Sequence, residues 1–149
     1  MHIANAILIA APPARIYALA APVERWPAIL PHYRWVKVLE ERGDSRLVEM
    51  ACWRDGIPLR WTALEELAPD VPRIRFLHVA GITRGMEVAW EFLPRGEMTE
   101  VRIEHDLRLR WPIIGSAVAN RIIGPLFVSA VANKTLQRMK ILAEAANGE

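Results

Sequence analysis

The segment VRIEHDLRLRW, residues 101–111, alternates polar and apolar side chains along almost its whole length. A period of two is typical of a β-strand that buries one face and exposes the other. His105 breaks the pattern, because it shares the apolar parity of Ile103 and Leu107. We therefore expect its imidazole to point inward, either as a core histidine with a local hydrogen-bond partner or as a titratable group that faces a ligand.

Five further strand-like segments precede this one, separated by short segments of turn-forming residues. They are YRWVKVLEER (33–42), RLVEMACWR (46–54), PLRWTALEELA (58–68), RIRFLHVA (73–80) and GMEVAWEFLP (85–94). Connections this short join antiparallel neighbours rather than parallel ones. These patterns therefore predict that the middle of the chain forms an antiparallel sheet of consecutive hairpins.

The flanking segments complete the architecture. A strand is predicted over roughly 2–11, two short helices within 11–31, and one long helix over 113–147, with a kink at Gly124 and Pro125. The order β-αα-β6-α predicts an α+β fold, in which a curved seven-stranded antiparallel sheet wraps around a long C-terminal helix. We expect a single domain over residues 1–149, with an internal apolar cavity.

Composition excludes several functional classes. The formal net charge of +2 is small and dispersed, unlike the basic footprint of a nucleic-acid binder. A single cysteine, Cys52, rules out an internal disulfide and is consistent with a cytoplasmic protein. The sequence contains no Gly-rich phosphate loop, G-x-S-x-G or H-E-x-x-H motif, so no cofactor or metal is predicted. The apolar stretch 111–133 contains Arg121, which disfavours a membrane span but leaves transient membrane contact open.

Aromatic residues suggest a ligand site. The chain has six tryptophans, and inward-facing rings would form a flat-walled slot suited to ring systems or isoprenoid tails. The alternative is that they only fill the core. The predicted ligand-binding residues are Trp26, Trp35, Trp61, Phe76, His78, Trp90, Ile103, Arg121 and Leu126.

Glu65 is a candidate polar residue of the interior. It has the strand parity of Trp61, so an inward Trp61 implies an inward Glu65. A buried carboxylate needs a partner, for which Arg121 is one candidate, or a raised pKa; the alternative is a bulge that leaves the side chain solvated. Glu65, Tyr33 and His105 are the predicted acid–base residues.

The chain resembles the helix-grip (START-like, Bet v 1-like) superfamily, and within it the polyketide cyclase/dehydrase group that includes aromatase/cyclases and coenzyme-Q10-binding proteins. Three segments carry this resemblance: IAAPPARIYALAAPVERWPAILP (9–31), DGIPLRWTA (55–63) and MEVAWEFLPRGEMTEVRIEHDL (86–107). The resemblance implies a sheet that grips a C-terminal helix around an apolar pocket, with Trp26, Tyr33 and Trp61 lining it. The serine and arginine that aromatase/cyclases carry downstream of the mid-sheet tryptophan are Glu65 and Leu67 here.

Three functions follow from this resemblance and from the residues. The leading one is binding of a hydrophobic small molecule, polycyclic, quinone-like or lipid-like. The second is a polyketide cyclase/dehydrase enzyme. The third is a peripheral factor that presents lipids or quinones at a membrane through PIIGSAVANRIIGPLF (112–127). The oligomeric state, monomer or homodimer, stays open.

Overall fold

The computed structural model describes residues 2–81, 83–107 and 124–145, and the side chains of the last helix from residue 128 onward. The strands are β1 (His2–Ile9), β2 (Tyr33–Arg42), β3 (Ser45–Arg54), β4 (Ile57–Ala68), β5 (Arg73–Gly81), β6 (Glu87–Arg95) and β7 (Met98–Asp106). The helices are α1 (Pro13–Ala20), a 3-10 turn (Val23–Arg25), α2 (Trp26–Ile29) and α3 (Gly124–Ala145). This order confirms the predicted β-αα-β6-α arrangement.

The seven strands form one antiparallel sheet in the order β1-β7-β6-β5-β4-β3-β2. Strands β2 to β7 are consecutive hairpins, as the short turns between them predict. The first strand returns to pair with the last, from His2 opposite Asp106 to Ile9 opposite Thr99. Register shifts in β2 and β5 add bulges, which increase the local twist and help to curve the sheet.

Burial alternates along the strands and defines an inner face. In β7 the buried residues are Thr99, Val101, Ile103 and His105, and the residues between them are more exposed. The same alternation follows β5, where Ile74, Phe76 and His78 are buried. In these two strands the period-2 pattern of the sequence predicts correctly which side chains face the core.

Helix α3 packs on this inner face through one apolar stripe. Val128, Ala132, Leu136, Met139 and Ala143 are buried at spacings of three or four residues, which places them on one side of the helix. The stripe belongs to the same hydrophobic cluster as the inward residues of the sheet. Burial of this face, rather than helix propensity, stabilises α3 in its place.

Polar contacts fix α3 at two neighbouring elements. Lys140 Nζ donates to the Leu8 carbonyl at 3.1 Å, and Arg138 Nε donates to the Ile29 carbonyl at 3.0 Å. The first contact ties the helix to β1 and the second to α2. Both acceptors are backbone carbonyls, so the contacts depend on the chain path rather than on a second side chain.

Some sequence predictions fall beyond the described part of the chain. Strand β7 ends at Asp106. The strand was predicted to continue to residue 111, but only Leu107 of that continuation is among the described residues. The portion of the predicted helix before Gly124, and with it the predicted kink, is also outside the described residues. No helix that the structure describes is long and apolar enough to cross a membrane.

Candidate functional site

The inner face of the sheet carries a chain of rings in mutual contact, which we call the aromatic wall. Neighbouring ring centroids along it are 5.0–6.3 Å apart. In spatial order the wall consists of Phe92, Trp90, Trp26, Tyr33, Trp61 and His78. Such distances are typical of attractive ring pairs. The rings come from β6, α2, β2, β4 and β5, so only the folded sheet brings them together.

Trp26 is the central residue of the aromatic wall. Its indole Nε1 donates to the Ala20 carbonyl at 3.0 Å, which satisfies the one polar atom of a side chain that is only 2% exposed. Its ring also lies 6.3 Å from that of Phe76 on β5. Because Trp26 begins the short helix α2, that helix positions the indole over the sheet.

Tyr33 contributes a phenol that stays protonated. Burial raises the pKa of Tyr33 well above its usual value, with a smaller effect from Cys52, which lies opposite it on β3. Burial also raises the pKa of the Cys52 thiol to about 12. Tyr33 can therefore donate a hydrogen bond at neutral pH but cannot act as a base, and Cys52 is not a thiolate nucleophile.

His78 extends the aromatic wall at its far end. Its ring stacks on that of Trp61, with centroids 5.5 Å apart and an interplanar angle of 12°. Its Nδ1 lies 2.7 Å from the Thr83 hydroxyl oxygen, a hydrogen bond that orients the imidazole. Burial lowers the pKa of His78 to about 3, with a further contribution from His105. His78 is therefore a neutral, flat side chain at physiological pH.

His105 lies on the inner face, as its parity predicts. It sits opposite Ile3 on β1 and Val88 on β6, and 8% of the residue is exposed. Burial lowers the pKa of His105 to about 4, with a smaller effect from His2. Its Nδ1 is buried and has no hydrogen-bond partner among the described residues. A buried polar atom without a partner is destabilising, so this nitrogen is a candidate for contact with a bound molecule.

Glu65 is fully buried and is paired with an arginine that lies directly opposite it on the neighbouring strand. Its Oε1 accepts from Arg46 Nε and lies near Arg46 Nη2, each at 2.7 Å. Its Oε2 is buried and has no partner in the part of the chain that the structure describes. Burial raises the pKa of Glu65 to about 7, although Arg46 acts in the opposite direction. Glu65 therefore combines both outcomes that the sequence left open, a partner and a raised pKa.

The three predicted acid–base residues do not form one cluster. Tyr33 is opposite Cys52, whereas Glu65 is opposite Arg46 on the same strand. At about 3.3 Å per residue these positions are roughly 20 Å apart along β3. His105 shares a cross-strand row with Glu65 but lies three strands away, about 14 Å at the usual strand spacing.

Most of the predicted ligand-binding residues share the inner face. These are Trp26, Trp61, Phe76, His78, Trp90 and Ile103. Arg121 lies outside the described residues, and the same holds for the side chain of Leu126 in the first turn of α3. The suggested pairing of Glu65 with Arg121 stays a prediction, and the partner that the structure shows for Glu65 Oε1 is Arg46.

The prediction that Trp35 faces the ligand is wrong. A bulge between Tyr33 and Trp35 places Tyr33 opposite Cys52 but Trp35 opposite Ala51, and this extra residue reverses the parity of the strand. Trp35 therefore lies on the outer face, where its indole Nε1 donates to Glu49 Oε1 at 3.0 Å.

Sequence reasoning also missed two residues of the interior, Arg46 and Tyr17. Arg46 has the parity of Val48 and Met50, which are both buried, so the alternation in RLVEMACWR was a usable signal. Tyr17 lies on α1 and packs its ring on Phe92. Tyr17 lies in the opening segment 9–31 that carries the family resemblance, but its role was missed because α1 is short and its orientation depends on the sheet.

A curved antiparallel sheet around one long helix, with an aromatic inner face, defines a helix-grip domain. The chain belongs to the family described as polyketide cyclase / dehydrase and lipid transport, whose model matches residues 9–134. This membership confirms the resemblance inferred from the sequence.

Among curated relatives, the bifunctional cyclase/dehydratase of the actinorhodin polyketide synthase of Streptomyces coelicolor is 34% identical over 98 residues, covering 64% of this chain and 31% of the relative. The corresponding granaticin protein of Streptomyces violaceoruber is 29% identical over 104 residues, covering 68% of this chain and 32% of the relative. The chain thus spans about a third of the length of these relatives.

Solved structures show the same fold. The protein TTHA0849 from Thermus thermophilus is 26% identical, with a TM-score of 0.79 and coverage of 93% of this chain and 97% of that protein. The Zhui aromatase/cyclase from Streptomyces sp. R1128 is 20% identical, with a TM-score of 0.86 and coverage of 97% and 93%. The latter identity is low, so the likeness to Zhui concerns the fold.

Proposed function

We propose that this domain binds a flat hydrophobic small molecule, such as a polycyclic aromatic or a quinone, in an internal cavity beside the aromatic wall. The observation that carries the proposal is the continuous contact of six rings along the inner face. Ring faces of this kind favour stacked or edge-to-face contact with another ring system. Lipid-like chains would gain the apolar contacts but not the stacking.

His105, which lies on the same inner face of the sheet, is the proposed polar contact for such a ligand. Its imidazole is neutral at physiological pH, because burial lowers its pKa to about 4. A neutral imidazole has one donor and one acceptor nitrogen, and Nδ1 lacks a partner among the described residues. A ligand carbonyl or hydroxyl within reach of Nδ1 would satisfy it.

A second candidate function is catalysis of a polyketide cyclase/dehydrase reaction. The relatives that carry this name favour it. Loss of water from a β-hydroxy ketone needs a base that removes the α-proton and an acid that protonates the departing hydroxyl, so that a C=C bond forms and water leaves. His105 is the proposed group for both steps: its neutral imidazole takes up the α-proton, and the resulting imidazolium returns a proton to the departing hydroxyl. Tyr33, which does not cluster with His105, can only donate a hydrogen bond to another part of the substrate.

The membrane-presenting function remains a prediction. It depends on the segment 112–127, whose side chains are outside the described residues. Cosedimentation with liposomes, weakened when Ile122 or Leu126 is replaced by Glu, is the expected result for that function. Absence of cosedimentation would exclude it.

Native mass spectrometry of the purified protein tests the binding function first. A discrete hydrophobic adduct, identified after solvent extraction, is the expected result. A bare chain that also fails to bind anthraquinone, ubiquinone analogues and fatty acids would overturn the proposal and favour a filled core.

A matched pair of tryptophan variants then locates the binding surface. Trp61 lies in the aromatic wall, whereas Trp53 is 42% exposed on the outer face of the sheet. Trp61→Ala is expected to weaken anthraquinone binding about tenfold or more, because it removes stacking as well as buried apolar area. Trp53→Ala is the control and should leave the dissociation constant unchanged. Equal effects of both variants would contradict binding at the wall.

A further inference from the structure

Glu65 is held on one oxygen only, and the hydrogen bonds of Arg46 explain why. Arg46 directs Nε to Glu65 Oε1, Nη1 to Glu24 Oε2 at 2.8 Å and Nη2 to the Ala21 carbonyl at 3.0 Å. Nε and Nη2 both face Glu65 Oε1, and the other contacts of the guanidinium go to Glu24 and Ala21, so none of them reaches Glu65 Oε2. That oxygen needs a donor from elsewhere, because a buried carboxylate oxygen without one is strongly unfavourable.

Tyr17 supplies a second buried atom in the same situation. Its hydroxyl oxygen is buried and has no hydrogen-bond partner among the described residues. Its ring is held edge-on against Phe92, with centroids 5.5 Å apart. Arg46 Nη2 contacts both Glu65 Oε1 at 2.7 Å and the Ala21 carbonyl at 3.0 Å, and the Ala21 N–H donates to the Tyr17 carbonyl at 2.9 Å. The end of α1 therefore brings Tyr17 to the part of the interior that holds Glu65, and no hydrogen bond joins the two side chains. The charge of Glu65 adds to the effect of burial, which raises the pKa of Tyr17.

A single hydroxyl group placed between these two atoms would satisfy both. It can donate its proton to Glu65 Oε2 and accept a hydrogen bond from the Tyr17 O–H. A carbonyl or ether oxygen cannot donate, and a methyl group can do neither. The unpartnered pair therefore matches a hydroxyl more closely than any other common ligand group.

We propose that Glu65 and Tyr17 bind a phenol or enol hydroxyl of the hydrophobic ligand, and that Arg46 is the positioning residue that keeps Glu65 Oε2 free for it. This inference rests on the proposed ligand-binding function and adds a specificity to it. Ligands that carry a hydroxyl at the matching place bind more tightly than the same ring system without it.

The preference depends on the charge of Glu65. Arg46 on β3 faces it directly; Glu24 on the 3-10 turn and Glu41 on β2 lie on the far side of that guanidinium, at 2.8 and 3.7 Å from Nη1. Asp44 acts on Tyr17 from the β2–β3 turn. On the β5 side, the cross-strand neighbour Phe76 is uncharged.

Ionised Glu65 accepts a hydrogen bond from the ligand hydroxyl. Protonated Glu65 carries a proton of its own and competes with the ligand hydroxyl as the hydrogen-bond donor. Since burial raises the pKa of Glu65 to about 7, the hydroxyl preference should increase between about pH 6 and about pH 8.

The test compares 2-naphthol with naphthalene, which differ by one hydroxyl. Dissociation constants are measured at about pH 6 and about pH 8 for the wild type, Glu65→Gln and Tyr17→Phe, with folding checked by circular dichroism. The neighbouring exposed Glu66 gives the control variant Glu66→Gln. We expect the wild type to prefer 2-naphthol about tenfold at the higher pH, as for a hydrogen bond to a charged group.

The variants separate this inference from a purely structural role. Glu65→Gln should abolish the pH dependence of the preference, and Tyr17→Phe should reduce the preference while leaving naphthalene affinity unchanged. Arg46→Lys keeps the charge but loses the planar fork, so the midpoint of the pH dependence should move upward. A residue that only supports the fold would change the affinity of both compounds equally.

Each result bears on the inference. This inference alone is overturned if naphthalene binds as tightly as 2-naphthol, or if the hydroxyl preference survives in both Glu65→Gln and Tyr17→Phe. Failure of the wild type to bind either compound or any of the anthraquinone, ubiquinone and fatty-acid probes overturns the proposed function, and the inference with it.

Discussion

Replacement of His105 by Gln removes the titration of a buried imidazole while keeping a polar side chain. In the folded chain burial lowers the pKa of His105 to about 4, whereas a histidine in an unfolded chain has a pKa of about 6.5. Between these values the unfolded chain binds a proton that the folded chain does not. Stability is therefore full above about pH 6.5 and is lost as the pH falls toward 4.

The size of this loss follows from the two pKa values. At pH 5 the unfolded histidine is about 1.5 pH units below its pKa, and each unit corresponds to about 1.4 kcal/mol, so the loss is about 2 kcal/mol. Any folded-state pKa of His105 well below 5 gives almost the same value. The prediction therefore depends on the imidazole being neutral, not on the depth of its pKa shift.

Urea unfolding at pH 7 and pH 5 measures the effect. Between pH 7 and pH 5 the free energy of unfolding should fall by about 2 kcal/mol less in His105→Gln than in the wild type. The control is His2→Gln, because the His2 side chain is 57% exposed; it should retain most of the wild-type pH dependence. If His105→Gln loses as much stability as the wild type, the imidazole is not neutral in the folded chain and the reasoning fails.

Three further predictions concern stability. Glu65→Gln should remove a pH dependence of the opposite sign. Because the pKa of Glu65 is raised to about 7, the free energy of unfolding of the wild type should fall by about 3–4 kcal/mol as the pH rises from about 4 to above 7, measured by urea unfolding across that range. Leu136→Ala, at a residue 1% exposed, should lower the free energy of unfolding at pH 7 by about 2–5 kcal/mol, and a change below about 1 kcal/mol would contradict close packing of α3. Gly81→Ala should lower the Tm by about 4 °C or more, because φ is +105° and the added Cβ would lie 2.8 Å from the Arg60 carbonyl oxygen. The control Gly43→Ala, with φ of +59° and open space around the added Cβ, should lower the Tm less. Equal Tm shifts of the two variants would exclude the clash at Gly81.

Local alternation made much of the fold and part of the candidate site predictable. Successive side chains of a strand point to opposite faces, so the pattern around residues 101–107 was sufficient to place His105 inside. The same argument placed Glu65 with Trp61 on the inner face of β4. The short turns between the strands were sufficient to predict antiparallel hairpins, because such connections allow no other pairing.

The sequence by itself therefore determined the order of the elements and the inward face of most strands, since both follow from periodicity within one segment. Tertiary structure decided which side chains meet. The bulge in β2 turned Trp35 outward, and only the register of β3 against β4 placed Arg46 opposite Glu65. The docking of α1 brought the Ala21 carbonyl to Arg46, the partner of Glu65, and with it Tyr17 to the same part of the interior. Register, bulges and helix docking depend on contacts between distant segments, so no local pattern contains them.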